Sequence, residues 1–276
     1  MGLSVYNNVE ASNAHRLLSN TNMQLSKSME RLSSGLRINR AADDAAGLAV
    51  SEGMRSQIRG MGVASRNAQD GVSMVQVADG ALGVVGDMLQ RVRDLAVQAS
   101  NGTLTDAQRT NLDTEVQQIM TEIGKTGTDT EFNGLKILAG SVATAGTAVT
   151  LQVGANASQS IAFTISTVSA SDLGISGIAV SSASAATAAI ASLDSAISTI
   201  TTSRANLGAI QNRLEHTINR LGITSENLQA AESRIRDADM ASEMITFTKN
   251  QILQQSGTAM LAQANQAPQS VLSLLR

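Results

Sequence analysis

The chain reads as mainly α: an antiparallel bundle or coiled coil of long helices with a small β-hairpin region. Three observations carry this reading. Apolar residues recur at alternating steps of three and four across residues 44–99 and again across 188–235, the pattern of helices packed along a seam. One proline, Pro268, stands in 276 residues, so nothing forces a break in either helix. Aromatic residues make up 1% of a composition that is 42% hydrophobic, which leaves the core to Ala, Val, Leu, Ile and Met. Such side chains suit close helix-on-helix packing.

Residues 3–36 form the first amphipathic pattern, with Leu18, Leu25, Met29, Leu32 and Leu36 on one face. Ser33-Ser34-Gly35 loosens its end, and Leu36 to Asp44 reads as a short connection. The second pattern runs through Met54, Ile58, Met61, Ser65, Ala68, Val72, Val75, Ala78, Leu82, Val85, Leu89, Val92 and Ala96. It spans roughly 80 Å as a helix. Gly53, Gly60, Gly62, Gly71, Gly80, Gly83 and Gly86 interrupt it, each costing about 1 kcal/mol against Ala. Packing, in good part between molecules, has to hold it straight. Asn101-Gly102 gives a stop signal. Thr105 with Gln108 forms a capping box for a third helix, with Leu112, Val116, Ile119 and Ile123 on its apolar face. Gly124 and Gly127 read as its close.

Across 131–180 charge nearly vanishes and Gly, Ser, Thr and β-branched residues rise. Alternation at Ile161, Phe163 and Ile165, and around Leu151 and Val153, predicts short strands or hairpins. Ser181 to Thr187 reads as a linker. Leu193, Ile197, Ile200, Arg204, Leu207, Gln211, Leu214, Ile218, Leu221, Ser225, Leu228, Glu232 and Ile235 then mark a third seam. The two long seams must run antiparallel if they pack within one chain.

The last zone, 242–276, is unusual. No charged residue occurs from Asn250 to Leu275, while Ile252-Leu253, Met260-Leu261, Val271-Leu272 and Leu274-Leu275 form apolar doublets among Gln, Asn, Ser and Ala. Surface helices of a soluble monomer carry charge. An uncharged amphipathic terminus is built for burial against copies of itself or a partner.

Catalytic and metal-binding chemistry finds no footing. There is no Cys, and His15 and His216 have no second ligand at helical spacing, so neither a catalytic nor a metal site is expected, and no cofactor. Asp43-Asp44 adjoins a helix start, where acidic residues complement the dipole. The Gly60-Met61-Gly62 and Gly80 to Gly83 runs do not complete a dinucleotide fingerprint. Asn101-Gly102-Thr103 and Asn156-Ala157-Ser158 fit the short N-glycosylation pattern. The net charge of -3, with no basic patch, argues against nucleic acid. No run of 18 consecutive apolar residues suggests a membrane partner, and Met1 to Glu10 lacks the form of a cleavable secretory signal.

Two long motifs carry a family resemblance. Ser33-Ser34-Gly35-Leu36-Arg37-Ile38-Asn39-Arg40-Ala41-Ala42-Asp43-Asp44-Ala45-Ala46-Gly47-Leu48 resembles the N-terminal signature of bacterial flagellins. Ile252-Leu253-Gln254-Gln255-Ser256-Gly257-Thr258-Ala259-Met260-Leu261-Ala262-Gln263-Ala264-Asn265-Gln266, with the ending Val271 to Arg276, resembles the C-terminal one. Gln90 to Ala96 and Arg234 to Asp239 match as well. The likeness covers both ends of the chain.

The resemblance implies a structural, non-enzymatic subunit of the flagellar filament. It implies an inner domain of paired terminal helices, 1–40 with 240–276, lining the filament channel. The outer helical domain is then 41–239, with its β-hairpin region at about 131–180. Filament packing falls to Leu18, Leu25, Leu32, Ile252, Leu253, Met260, Leu261, Leu272 and Leu275. The domain connection falls to Arg37, Asn39, Asp43, Asp44, Arg236 and Asp237. Implied partners are further copies of the chain, the flagellar export chaperone, the filament cap and junction proteins, and the vertebrate innate immune receptor for flagellin, which would meet Arg91, Leu95 and Glu115. Export without a cleaved signal and an extracellular place in the filament follow from the same likeness. Residues 140–187 leave room for little more than hairpins and a linker, so the chain reads as a short form without large outer domains. The metallopeptidase motif that some relatives carry is missing. A hook–filament junction protein of the same superfamily is the alternative; a lipid-associated helical protein would need Lys/Arg-flanked faces that the C-terminal helix lacks.

Overall fold

The computed structural model describes residues 7–139 and 148–274, except the side chains of 267–274. Five helices dominate: α1 Val9–Ser34, α2 Ala45–Ala99, α3 Asp106–Asp129, α4 Ala183–Arg236 and α5 Met240–Leu274. Between α3 and α4 lie two antiparallel hairpins, β1 Glu131–Phe132 with β2 Leu135–Lys136, and β3 Val149–Gln152 with β4 Ser160–Phe163. The mainly α expectation holds. Chain contacts divide into two units, Met1–Ser56 with Asn227–Arg276, and Gln57–Glu226.

In the second unit α2 and α4 are antiparallel, as the ion pairs Asp79–Arg204 (2.8 Å) and Arg93–Asp194 (2.6 Å) require. The buried stripe of α2 passes through Met61, Ala64, Ala68, Val75, Ala78, Leu82, Val85, Leu89, Val92 and Ala96. That of α4 is Ala186, Ala189, Leu193, Ala196, Ile200, Ser203, Leu207, Ile210, Leu214, Thr217 and Leu221, an unbroken alternation of three and four. Each buried Leu, Val or Ile in these stripes contributes about 1.5–3 kcal/mol relative to exposure.

The α4 seam corrects half of the sequence reading. Leu193, Ile200, Leu207, Leu214 and Leu221 are as expected, but the alternate positions are Ala196, Ser203, Ile210 and Thr217, not Ile197, Arg204, Gln211 and Ile218. Bulk is a poor guide here, because small residues let the helices approach. Arg204 instead reaches out to Asp79. Likewise Ala64 and Gly71 replace Ser65 and Val72 in α2.

Helix α3 opens on the expected capping box, with Thr105 accepting from Gln108 N–H and the Gln108 side chain accepting from Thr105 N–H. Its close differs: it runs past Gly124 and Gly127 to Asp129. Gly127 is there because a Cβ would collide with the Val168 carbonyl oxygen. Helix α4 begins at Ala183, so most of the expected Ser181 to Thr187 linker is its first turn, with Ser182 Oγ accepting from Ala185 N–H. Helix α1 starts at Val9, capped by Asn8, whose Oδ1 accepts from Ala11 N–H; residues 3–6 of the expected helix lie outside the described ones.

The hairpins account for part of the glycine load of α2. Leu151 of β3 packs where a Gly71 side chain would stand, Ala155 sits over Gly60, and Asn67 Nδ2 donates to the Gln152 carbonyl at 3.0 Å. Around Gly53, Gly62 and Gly80 there is open space. The β1–β2 turn is Asn133-Gly134, both at positive φ (51° and 76°), as a two-residue primed turn demands. Helices α2 and α4 each hold an 18-residue window apolar enough to cross a membrane by length and composition, which a count of consecutive apolar residues passes over; their buried stripes make them bundle helices in this fold.

Gly127→Ala is expected to lower unfolding stability by about 1–3 kcal/mol. Gly124→Ala, one turn away in open space, should raise it by up to about 1 kcal/mol. Urea titrations followed by circular dichroism separate the two.

Candidate functional site

The first unit is built on α1 and α5, which pack antiparallel. Asn8 Nδ2 donates to the Ala264 carbonyl at 2.8 Å, Leu18 lies against Gly257, and Arg31 meets Glu243 at 3.6 Å. Besides Glu30 and Arg31 near its end, the partly or fully buried positions of α1 are Ala11, Ala14, Leu18, Thr21, Leu25, Ser28 and Leu32; those of α5 are Glu243, Phe247, Asn250, Gln254, Gly257, Leu261 and Ala264. The seven positions on each helix follow the three–four rhythm of a coiled-coil seam.

The seam is thin and polar. Ser28 and Asn250, each 4% exposed, are its most buried side chains, and its leucines are only half-buried. Meanwhile large apolar side chains point away from it: Leu17, Met23 and Met29 on α1, and Met244, Ile245 (72% exposed), Ile252, Leu253 and Met260 on α5. Met244, Ile245, Ile252 and Leu253, with Thr248 and Lys249, line one shallow, mostly apolar depression. Contiguous apolar surface of this kind marks an interaction face.

The connection between α1 and α2 is held by side chains. Gly35, at φ 72°, caps α1. Arg37 N–H and Nη2 donate to the carbonyls of Arg236 (2.7 Å) and Ile235 (2.6 Å), and Leu36 bridges Asp237 through the backbone. Asn39 Nδ2 and Arg40 Nε both donate to Glu30 Oε1. Asp43 accepts from the amides of Asn39 and Arg40 and pairs with Lys27 at 2.6 Å. Asp44 Oδ1 accepts from Gly47 N–H at 2.8 Å and so caps α2. Ile38, 2% exposed, is the apolar anchor of this segment.

The Lys27 ammonium and the two amides hold the Asp43 carboxyl down at about 2. Arg236 Nη1 sits 2.6 Å from Glu52 and lowers that carboxyl as well. Three buried polar atoms, Arg31 Nε, Arg236 Nε and Glu243 Oε1, find no hydrogen-bond partner among the described residues. Among those residues no group of three His, Cys, Asp or Glu side chains is placed to hold a metal ion.

The family model described as the bacterial flagellin N-terminal helical region matches residues 5–143, and that of the C-terminal helical region matches 190–275. The chain belongs to the bacterial flagellin family. Full-length relatives agree. The chain is 51% identical to a flagellin of Halalkalibacterium halodurans, over 99% of each chain. It is 50% identical to the flagellar filament 33 kDa core protein of Treponema phagedenis, again over 99% of each. With the Bacillus subtilis flagellin it shares 48%, over 99% of this chain and all of the relative. The crystal structure of Bacillus cereus flagellin superposes with a TM-score of 0.51 at 31% identity, over 56% of this chain and 88% of that one. A putative flagellar hook-associated protein of Vibrio parahaemolyticus shares the fold, with a TM-score of 0.58 at 13% identity over 71% of this chain and all of the other. This flagellin is a structural subunit of the bacterial flagellar filament, the organelle of swimming.

The residues singled out from sequence separate into groups in the structure. Leu18, Leu25, Leu32 and Leu261 lie in the α1–α5 seam, whereas Ile252, Leu253 and Met260 lie on the exposed face. The Leu272 side chain and Leu275 fall outside the described residues. Arg37, Asn39, Asp43, Asp44, Arg236 and Asp237 all belong to the connection just described. Arg91 and Glu115 share an exposed ion pair at 2.7 Å between α2 and α3, while Leu95, 2% exposed, is part of the core beneath them. Sequence reasoning missed Lys27, Glu30 and Ile38; their partners stand nine or more positions away or have no polar signature.

Because the Asp43 pKa is depressed in the folded chain, its stabilisation is present above the ordinary value of 3.8 and is lost as pH falls through about 2. Thermal melts of this flagellin at neutral pH and in acid should show that loss. Asp43→Asn should melt lower at neutral pH and show a smaller decline in acid.

Proposed function

We propose that this flagellin enters the filament through its terminal helices, with residues 1–40 and 240–276 forming the wall of the central channel and 41–239 the outer layer. The observation that carries the reading is the exposed apolar face of α5, set on a helix with no charge from Asn250 to Leu274. Alone, the α1–α5 pair buries too little apolar surface to hold two long helices in order. Copies packed face to face would cover Ile245, Ile252, Leu253 and Met260 and supply the missing burial. The role is structural and involves no catalysis.

The same face explains the helpers that the resemblance implies. An export chaperone would cover α5 before assembly, and cap and junction proteins would receive it at the two ends of the filament. Export as an unfolded chain through the flagellar apparatus suits a chain without cysteine, which is also indifferent to the redox conditions outside the cell. A vertebrate innate receptor would meet Arg91 and Glu115 at the surface, with Leu95 supporting them from below. The junction-protein reading keeps the same helix pairing and differs in copy number; electron microscopy of sheared filaments containing this chain in bulk decides against it.

Deletion of 250–276 should abolish polymerisation while circular dichroism still shows a folded 44–235 bundle. Ile252→Glu is the finer test. Its site is exposed, so monomer stability should change by no more than about 0.5 kcal/mol, yet sedimentation should show polymerisation lost. Normal filaments from either variant would overturn the proposal.

A further inference from the structure

The exposed corner between α2 and α3 carries a chemistry that filament assembly does not use. Asn101 is followed by Gly102, where an added Cβ would meet nothing within 4 Å, and among the described residues Gly102 N–H donates no hydrogen bond. The main-chain carbonyl of Asn101 accepts from Arg109 Nη2 at 3.0 Å and from Leu104 N–H at 3.4 Å. Its side-chain Oδ1 accepts from Thr103 N–H at 3.3 Å. Arg109 is a built feature of the corner: it is 8% exposed, with Nε on the Ala99 carbonyl at 2.9 Å and Nη1 on Asp106 at 2.9 Å.

These donors sit where charge develops when an asparagine is attacked by the backbone nitrogen that follows it. Loss of the Gly102 amide proton spreads negative charge onto the Asn101 main-chain oxygen, which faces the Arg109 cation. Attack of Gly102 N on Asn101 Cγ then puts negative charge on Oδ1, which faces Thr103 N–H. Preorganised donors aimed at developing charge lower a barrier.

We infer that Asn101-Gly102 is a self-modifying site, at which the fold promotes deamidation through Arg109 and Thr103. The Gly102 N–Cγ bond forms and the Cγ–Nδ2 bond breaks. Ammonia leaves, taking up the proton lost from Gly102 N, and a cyclic imide remains. Water then opens the imide. Opening at Cγ leaves an aspartate in place of Asn101; opening at the main-chain carbonyl carbon leaves the isoaspartyl linkage. Either product carries one more negative charge, and the second also places an extra methylene in the backbone, where α2 turns into α3.

The chain holds its own control. Asn133-Gly134 is the same dipeptide and includes an exposed glycine, but neither Asn133 carbonyl accepts a hydrogen bond from a described residue. Full-length protein is aged in mildly alkaline buffer, and peptide mass mapping with isoaspartyl methyltransferase labelling follows both sites. In the folded chain Asn101 should convert at least about tenfold faster than Asn133, the effect of one charge-assisted hydrogen bond. In denaturant the two rates should converge. Arg109→Gln should bring the Asn101 rate toward that of Asn133. Since Arg109 also braces the corner, Thr103→Pro, which removes the second donor and leaves Arg109 in place, should slow Asn101 independently. Equal rates in the folded chain, or a ratio unchanged by denaturant, would overturn the inference.

Discussion

The pairing of α1 with α5 decides how much of this molecule can stand alone. Both helices follow the three–four rhythm, and so do α2 and α4, yet what occupies the rhythm differs. Along α2 and α4 the stripe is filled by Leu, Val, Ile and Ala, many of them fully buried. Along α1 and α5 the deepest positions are Ser28 and Asn250, flanked by Thr21, Gln254 and Glu243. Polar side chains at a seam fix register at some cost in stability. The terminal pair is therefore aligned by its own contacts but not fully stabilised by them. Its apolar residues face outward, where further copies can supply what the single chain lacks.

Around that pair the connection from Gly35 to Asp44 is held by charge and backbone hydrogen bonds. Arg37 ties it to the end of α4, while Asp43 and Arg40 tie it to Lys27 and Glu30 of α1. A segment fastened in this way keeps its path with Ile38 as its one fully buried apolar anchor. It is also sensitive to acid through Asp43.

Much of the fold can be read directly from the residues. Most of the α2 stripe, the Thr105–Gln108 capping box, the strand alternation near 150 and 163, and the change at Gly35 depend on neighbours in sequence, where spacing is informative. The misses have one cause: a residue chosen for its fit to something distant. Ala196, Ser203 and Thr217 are seam residues because another helix is close, and Gly127 is a glycine because the Val168 carbonyl lies against it. The exception is Asn133-Gly134, a turn signal carried by two adjacent residues that strand alternation alone does not register. At the candidate site the apolar doublets of α5 are visible in the sequence, but which member of each faces its own chain is not. Leu261 turns inward and Met260 outward only because α1 occupies one side. Leu95 shows the same limit from the other direction, since a motif position carried over by likeness proves to be core.

The Asn8–Ala264 hydrogen bond joins residues 256 positions apart. Closing a loop of that length costs about 5 kcal/mol in chain entropy, and a weak polar seam does little to offset it. Helix α1 consequently has no helix to pair with until α5 has been made. A chain delivered lengthwise would fold its middle first and zip its outer helices last. A fragment broken off anywhere upstream of α5 would bring an unmatched α1 and nothing to close it, so the pairing itself tests whether all the polypeptide between the two helices has arrived.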